Sequence, residues 1–157
     1  MEGMSEATVD DEALVVRRSI EIDASVDRVW RVVTEPALIS QWLGDTLLTG
    51  RGVGAVGTVS WPDRGPIPLR VEAVDAPTSI TYLWCNDDAL TAVPGEFDAD
   101  RATAFTFTLH ARPGGTLLTV VESGFERTTD PVANLESHRR GWNSELDELI
   151  AVAEAGS

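Results

Sequence analysis

The stretch DPVANLESHRRGWNSELDELIAVAEA, residues 130–155, places Leu135, His138, Trp142, Leu146, Leu149, Ile150 and Ala153 at steps of three and four. Side chains so spaced share one stripe of a helix. Asp130 stands where a side-chain oxygen accepts from the first unpaired backbone N–H groups, and Pro131 takes the first helical position. The spacing predicts one long amphipathic helix from about Asp130 to Ala155, with Glu136, Arg139, Arg140, Asp147 and Glu148 mainly turned to water. Gly141 lies inside it, at an intrinsic cost of about 1 kcal/mol relative to alanine. Its expected use is to let the backbone come close to something bulky.

Upstream of this helix the period changes from 3.6 to two. In ATAFTFTLHA, residues 102–111, Phe105, Phe107 and Leu109 alternate with Thr106, Thr108 and His110. Pro113-Gly114-Gly115 marks a hairpin turn, and TLLTVVES follows as its partner strand. SITYLWC puts Ile80, Tyr82 and Trp84 on one face. Thr46–Thr49 and Val56–Trp61 read as strands around a glycine-rich turn. Ile67–Val74 reads as another, its start demoted by Pro66 and Pro68 to an edge or a bulge. Nearer the N-terminus, LVVRRSIEIDA is strand-like. Val16, Ile20 and Ile22 share one parity, and Arg18 is the exception. Ser25 is a fitting N-cap for a helix through Val26, Val29, Trp30 and Val33. Pro36 ends it, and a short turn through Leu38, Ile39, Trp42 and Leu43 runs to Gly44.

The expected fold class is α+β. A curved antiparallel sheet of about seven strands wraps a long C-terminal helix, with two short helices after the first strand. Residues 1–13 are expected to form a disordered acidic tail and residues 14–157 a single domain. Only the C-terminal helix is long enough to cover one face of the sheet. Strong curvature leaves space beneath such a helix, so a cavity is expected there.

Composition narrows the function classes. Acidic side chains number 26 against 12 basic ones, for a net charge of −14. Such a surface repels phosphate backbones and anionic membranes, so neither nucleic acid nor membrane is an expected partner. All basic residues are arginine, which removes lysine Schiff-base and P-loop chemistry. No run of ~18 apolar residues exists to span a bilayer. The acidic opening MEGMSEATVDDEA has no apolar core, so a secretory signal is not expected. Cys85 is the single cysteine, which favours a reducing, cytoplasmic setting.

The ordered chain also resembles a known family. "IEIDASVDRVWRVVTEPALISQWLGD" carries Ile22, Ala24, Val29, Trp30, Thr34, Pro36 and Trp42 at that family's spacing. "ITYLW", "GGTLLTVVESGF" and "HRRGWNSELDELIAV" follow in the same order. From about Val16 to Ala153 the chain resembles the SRPBCC superfamily (START-like, helix-grip) and, within it, the activator of heat-shock-protein-90 ATPase homologue (AHSA) group. The resemblance implies a helix-grip, birch-pollen-allergen-like fold. It also implies one of three functions: binding of a small hydrophobic or aromatic molecule between sheet and C-terminal helix, polyketide cyclase- or aromatase-like catalysis, or stimulation of a chaperone ATPase as a protein-interaction module.

Several motifs carry little chemistry. Gly52-Val53-Gly54-Ala55-Val56-Gly57 satisfies G-x-G-x-x-G but opens a strand rather than a helix, so it reads as a turn. His110 and His138 are expected on opposite faces, no donor pair has ligand spacing, and neither metal nor cofactor is called for. Cys85 reads as an inert thiol, and no catalytic residue is assigned. His138, on the apolar stripe, is either a satisfied core histidine or a polar group on a cavity wall. Arg70 and Glu72 either pair inside the cavity or lie on the solvated face. The expected ligand-binding set is Trp42, Trp61, Arg70, Tyr82, Trp84, Phe105, Phe107, Phe125, His138, Trp142 and Leu146, with His138, Tyr82 and Arg70 orienting the guest. The acidic loop 86–101 is either a lid or a plain loop. The expected assembly is a monomer or homodimer.

Overall fold

Alternation writes the sheet directly. In the computed structural model, which describes residues 6–87 and 97–156, strands β1 (Thr8–Asp10), β2 (Val15–Ile22), β3 (Asp45–Thr49), β4 (Val56–Trp61), β5 (Arg64–Asp75), β6 (Ser79–Trp84), β7 (Thr103–Arg112) and β8 (Gly115–Ser123) form one antiparallel sheet. Its spatial order is β1-β2-β8-β7-β6-β5-β4-β3. The inward parity of β7 buries Phe105, Phe107 and Leu109 and leaves His110 exposed. Register shifts fall between Val59 and Trp61 and between Val71 and Ala73, and such bulges bend a sheet.

Helices α1 (Val26–Thr34) and α2 (Pro36–Ile39) carry the chain from β2 across to β3 at the far edge. Ser25 caps α1 by accepting from the Arg28 N–H at 3.2 Å. Trp42 and Leu43 continue beyond α2 in turns, their N–H groups bonded to the Ile39 carbonyl. The glycine-rich segment is the β3–β4 connection. Gly52 and Gly54 take φ of +70° and +92°, the left-handed region that side chains disfavour. The last helix, α3 (Pro131–Ala155), starts on the Asp130 cap and is about 38 Å long at 1.5 Å per residue. No helix among the described residues is long and apolar enough to cross a membrane.

One expectation needs amending and two open readings resolve. Part of the expected tail is structured: Thr8–Asp10 pair with Val15–Arg17, Ala7 is buried, and the Ala7 N–H reaches Asn143 Oδ1 at 2.8 Å. A short strand with one packed residue, Val9, leaves little trace in an acidic sequence. β5 is interior rather than an edge, flanked by β4 and β6, and the irregularity beside Pro66 is a bulge. Arg18, the odd residue of β2, is buried on the inward face. It donates to the Trp142 and Asn143 carbonyls at 3.2 and 2.9 Å and to Asp147 at 2.9 Å.

Arg18 thus fastens the middle of α3 to the sheet. Arg28 fastens its end, donating to the Val152 and Ala153 carbonyls at 2.9 and 3.3 Å, where the helix dipole favours a cation. Replacing Arg18 by alanine removes charge-assisted hydrogen bonds and leaves a void. A stability loss of about 2–3 kcal/mol is expected, measurable by urea denaturation.

Candidate functional site

The inward parity of β8 runs Leu118, Val120, Glu122, so a carboxylate enters the apolar layer. Glu122 has no exposed surface. It accepts from Trp84 Nε1 of β6 at 2.9 Å, Thr103 Oγ1 of β7 at 2.6 Å and Trp142 Nε1 of α3 at 2.9 Å. His138 Nδ1, also from α3, lies 2.9 and 3.0 Å from its two oxygens. Burial alone would push this carboxyl up. The His138 charge and the hydrogen bonds from His138, Thr103 and Trp84 outweigh it and hold the group below its ordinary value. His138 Nε2 meets the Asn86 carbonyl at 3.0 Å, so both ring nitrogens face acceptors, the arrangement of a doubly protonated imidazole beside an ionised carboxylate. Phe125 stands edge-on to the ring at 5.1 Å.

A half-open pocket of about 480 Å³ opens in front of this network. Trp61, Trp84, Leu43 and Trp142 supply its apolar surface, and Arg64, Asn86, His138 and Glu145 supply polar groups. Arg64 donates to Asn86 Oδ1 at 3.1 Å and to the Asp87 carbonyl at 3.0 Å. Asn86 therefore ties Arg64 and His138 to one backbone segment. Glu145 is half-buried. Desolvation pushes its carboxyl up to about 7, opposed by hydrogen bonding from Trp61 and aided by the charge of Glu148. Gly141 also lines the pocket, and a Cβ built there meets nothing within 4 Å, so it widens the chamber rather than admitting a bulky neighbour.

The expected ligand set divides. Trp61, Trp84, His138 and Trp142 come together at the pocket. Trp42, Tyr82, Phe105, Phe107, Phe125 and Leu146 do not line it and are buried core. Trp84, Phe105 and Trp142 pack with centroids 4.6, 5.2 and 6.0 Å apart, and the gap remaining near Phe105 and Tyr82 is about 10 Å³, at the lower limit for one water. The deep greasy cavity expected beneath the helix is filled by these rings, and the room lies to one side. The Tyr82 hydroxyl is turned away from this pocket and donates to the Val33 carbonyl at 2.6 Å in the interior. Arg70 belongs to the solvated face. It alternates with buried Leu69 and Val71, pairs with Glu72 at 3.3 Å and lies 4.4 Å over the Phe97 ring. For the loop 86–101, residues 88–96 lie outside the described residues. Burial raises the Cys85 thiol above its ordinary value. Among the described residues no three His, Cys, Asp or Glu side chains cluster as a metal site.

Sequence reasoning missed Glu122, Glu145, Arg64 and Asn86. Two left a signal: Glu122 shares the parity of Leu118 and Val120, and Glu145 lies three and seven residues beyond Trp142 and His138 on the same stripe. Arg64 opens β5, ahead of the segment Ile67–Val74 whose alternation reads as a strand, and Asn86 sits in the connection after β6, so no period indicates direction for either.

A curved antiparallel sheet gripping one long helix, with a chamber at the helix's flank, is the helix-grip architecture of the SRPBCC superfamily. Within it, the chain belongs to the family of activator of Hsp90 ATPase homolog 1-like proteins, whose model matches residues 23–154. Protein MLL2253 from Mesorhizobium loti superposes with a TM-score of 0.74 at 24% identity, over 91% of this chain and 98% of its own. DynU16, a putative protein in the dynemicin biosynthetic locus, gives 0.69 at 24% over 91% of this chain, which spans 48% of DynU16. The Aha1 dimer from Colwellia psychrerythraea gives 0.68 at 19%, over 91% and 98%. At these identities the likeness is one of fold. No curated protein matches the chain in sequence.

Two outcomes follow from the carboxylates. Glu122→Gln strips the buried imidazole of its counter-charge and is expected to cost about 3 kcal/mol or more in chemical denaturation. In the native chain the stabilisation from ionised Glu122 is present above the ordinary carboxyl value of 4.5 and is lost as pH falls through the lowered folded value. Glu145 has the opposite sign. The folded chain holds its proton more tightly than the unfolded one, so its contribution to stability falls as pH rises from 4.5 to about 7. Glu145→Gln is expected to raise the denaturation midpoint at about pH 8 and to leave it unchanged at about pH 4.

Proposed function

We propose that this protein binds a small molecule with an apolar or aromatic body in the pocket between α3 and the β4–β5 turn. The observation that carries this reading is the convergence of Trp61, Trp84 and Trp142 on one half-open chamber whose inner polar groups are already hydrogen-bonded. Such a chamber can exchange water for an apolar ring without stranding a buried donor. A guest ring burying roughly 150 Å² gains about 4 kcal/mol from apolar transfer at ~25 cal/mol per Å². Association offsets much of that, so affinities from about micromolar to millimolar are expected. Binding is favoured over cyclase-like turnover because the Tyr82 hydroxyl and both ring nitrogens of His138 are engaged internally. The single cysteine, half-buried and raised, suits a reducing cytoplasm.

The test uses 1-naphthalenemethanol, followed by calorimetry and by the indole N–H resonances of Trp61, Trp84 and Trp142. Saturable binding with shifts at these resonances is expected. Gly141→Phe fills the chamber where a side chain finds open space, and should remove binding while circular dichroism stays native. Gly141→Leu serves if the larger ring disturbs folding. Binding that survives both substitutions, or no binding to the native chain, overturns the reading. The family match favours one second reading, activation of a chaperone ATPase. It predicts stimulated ATP hydrolysis in a mixture with the chaperone, unaffected by Gly141→Phe.

A further inference from the structure

The charge inventory of the pocket is lopsided. Both of its cations are hydrogen-bonded within the protein: His138 pairs with the Glu122 carboxylate and meets the Asn86 carbonyl, and Arg64 donates to two neutral acceptors, Asn86 Oδ1 and the Asp87 carbonyl, and so keeps its charge. Among the described residues, its two carboxylates outside the Glu122 network have no cationic partner. Asp63 and Glu145 both line the chamber, and neither has an ion-pair partner among the described residues. Glu148, the further charge acting on Glu145 from α3, has the same sign.

The apolar wall points the same way. Trp61 and Trp84 lie 6.4 Å apart at 59°, and Trp84 and Trp142 lie 6.0 Å apart, so three indoles border one small volume. Indole faces carry negative charge density and attract organic cations, most strongly where water is partly excluded. A net charge of −14 adds a long-range field that concentrates cations at the surface and repels anions.

We propose that the pocket takes its guest as a cation: a small aromatic or alkyl amine, or a quaternary ammonium, with its positive head against Glu145 and its apolar body among Trp61, Trp84 and Trp142. This rests on the pocket-binding reading above and names the class of ligand. Glu145 is the specificity-determining residue, because it is the more buried of the two unpaired carboxylates of the chamber and, beyond a hydrogen bond from Trp61, no cation among the described residues is paired with it. The raised titration of that carboxyl has the same origin as the vacancy, since a group desolvated without a cation holds its proton. An arriving ammonium supplies the missing charge and releases that proton. The groups facing the exchange are His138 and Glu148 from α3, Asp63 from the β4–β5 turn, Arg64 from the start of β5, and uncharged Asn86 after β6.

The experiment compares three probes of one shape: 1-naphthylmethylamine, 1-naphthalenemethanol and 1-naphthoate. Calorimetry on the native chain at about pH 8 is expected to rank amine above alcohol by about tenfold, with the acid weakest. Glu145→Gln should collapse the amine-to-alcohol ratio to about one. Should that variant fold poorly, the native chain gives a second readout. Between about pH 8 and about pH 6 the amine's affinity should fall about tenfold with proton release, as expected for a carboxyl titrating near 7, while the alcohol's does not change. Equal affinity for amine and alcohol, a preference for the acid, or an amine affinity independent of pH overturns the cation assignment while leaving the pocket as a binding site. Failure of all three probes to bind overturns both readings together.

Discussion

One buried carboxylate organises this molecule. Glu122 draws donors from β6, β7 and two turns of α3 onto a single pair of oxygens. Two tryptophan N–H groups, a threonine hydroxyl and an imidazole therefore fix where the helix lies over the sheet more narrowly than apolar packing does. Hydrophobic contact tolerates a sliding helix, because methyl groups are interchangeable, whereas a four-donor carboxylate has one satisfied geometry. No buried side-chain polar atom among the described residues is left without a hydrogen-bond partner.

The same constraint explains why the chamber lies where it does. Trp84 and Trp142 are turned so that their N–H groups meet Glu122, and their rings then stack with Phe105 and close the volume under the helix. What stays open is the flank, where Gly141 offers no side chain and the β4–β5 turn stands away from α3. Filling at the centre and opening at the side come from one set of ring orientations.

The legibility of the fold and of the site differ for a physical reason. Period two in ATAFTFTLHA and TLLTVVES, caps at Ser25 and Asp130, and the stripe from Leu135 to Ala153 are local properties, and the strands and helices formed where they indicated. The site depends on contacts between distant elements. Trp61, Trp84, His138 and Trp142 were legible as inward-facing bulk, but nothing local distinguishes a tryptophan bordering a chamber from Trp42, whose N–H is spent on the Val32 carbonyl. The informative residues were the misfits. Arg18 in β2 and Glu122 in β8 break an apolar parity, and each is a charge buried for a specific partner on α3. Counting such exceptions as signals rather than noise would have found the network.

The pairing of β2 with β8 has a consequence for biosynthesis. Val16 lies opposite Glu122, so the second strand of the chain finds its main neighbour only after more than a hundred further residues have been added. A ribosome presenting the nascent chain therefore exposes Ile20 and Ile22 with no platform to join, and the central ladder cannot zip until elongation is nearly finished. Loop closure over that span is slow compared with hairpin formation. The helices α1 and α2 and the β3–β6 meander can assemble first, leaving the last strand and α3 to convert a half-built sheet into a finished one.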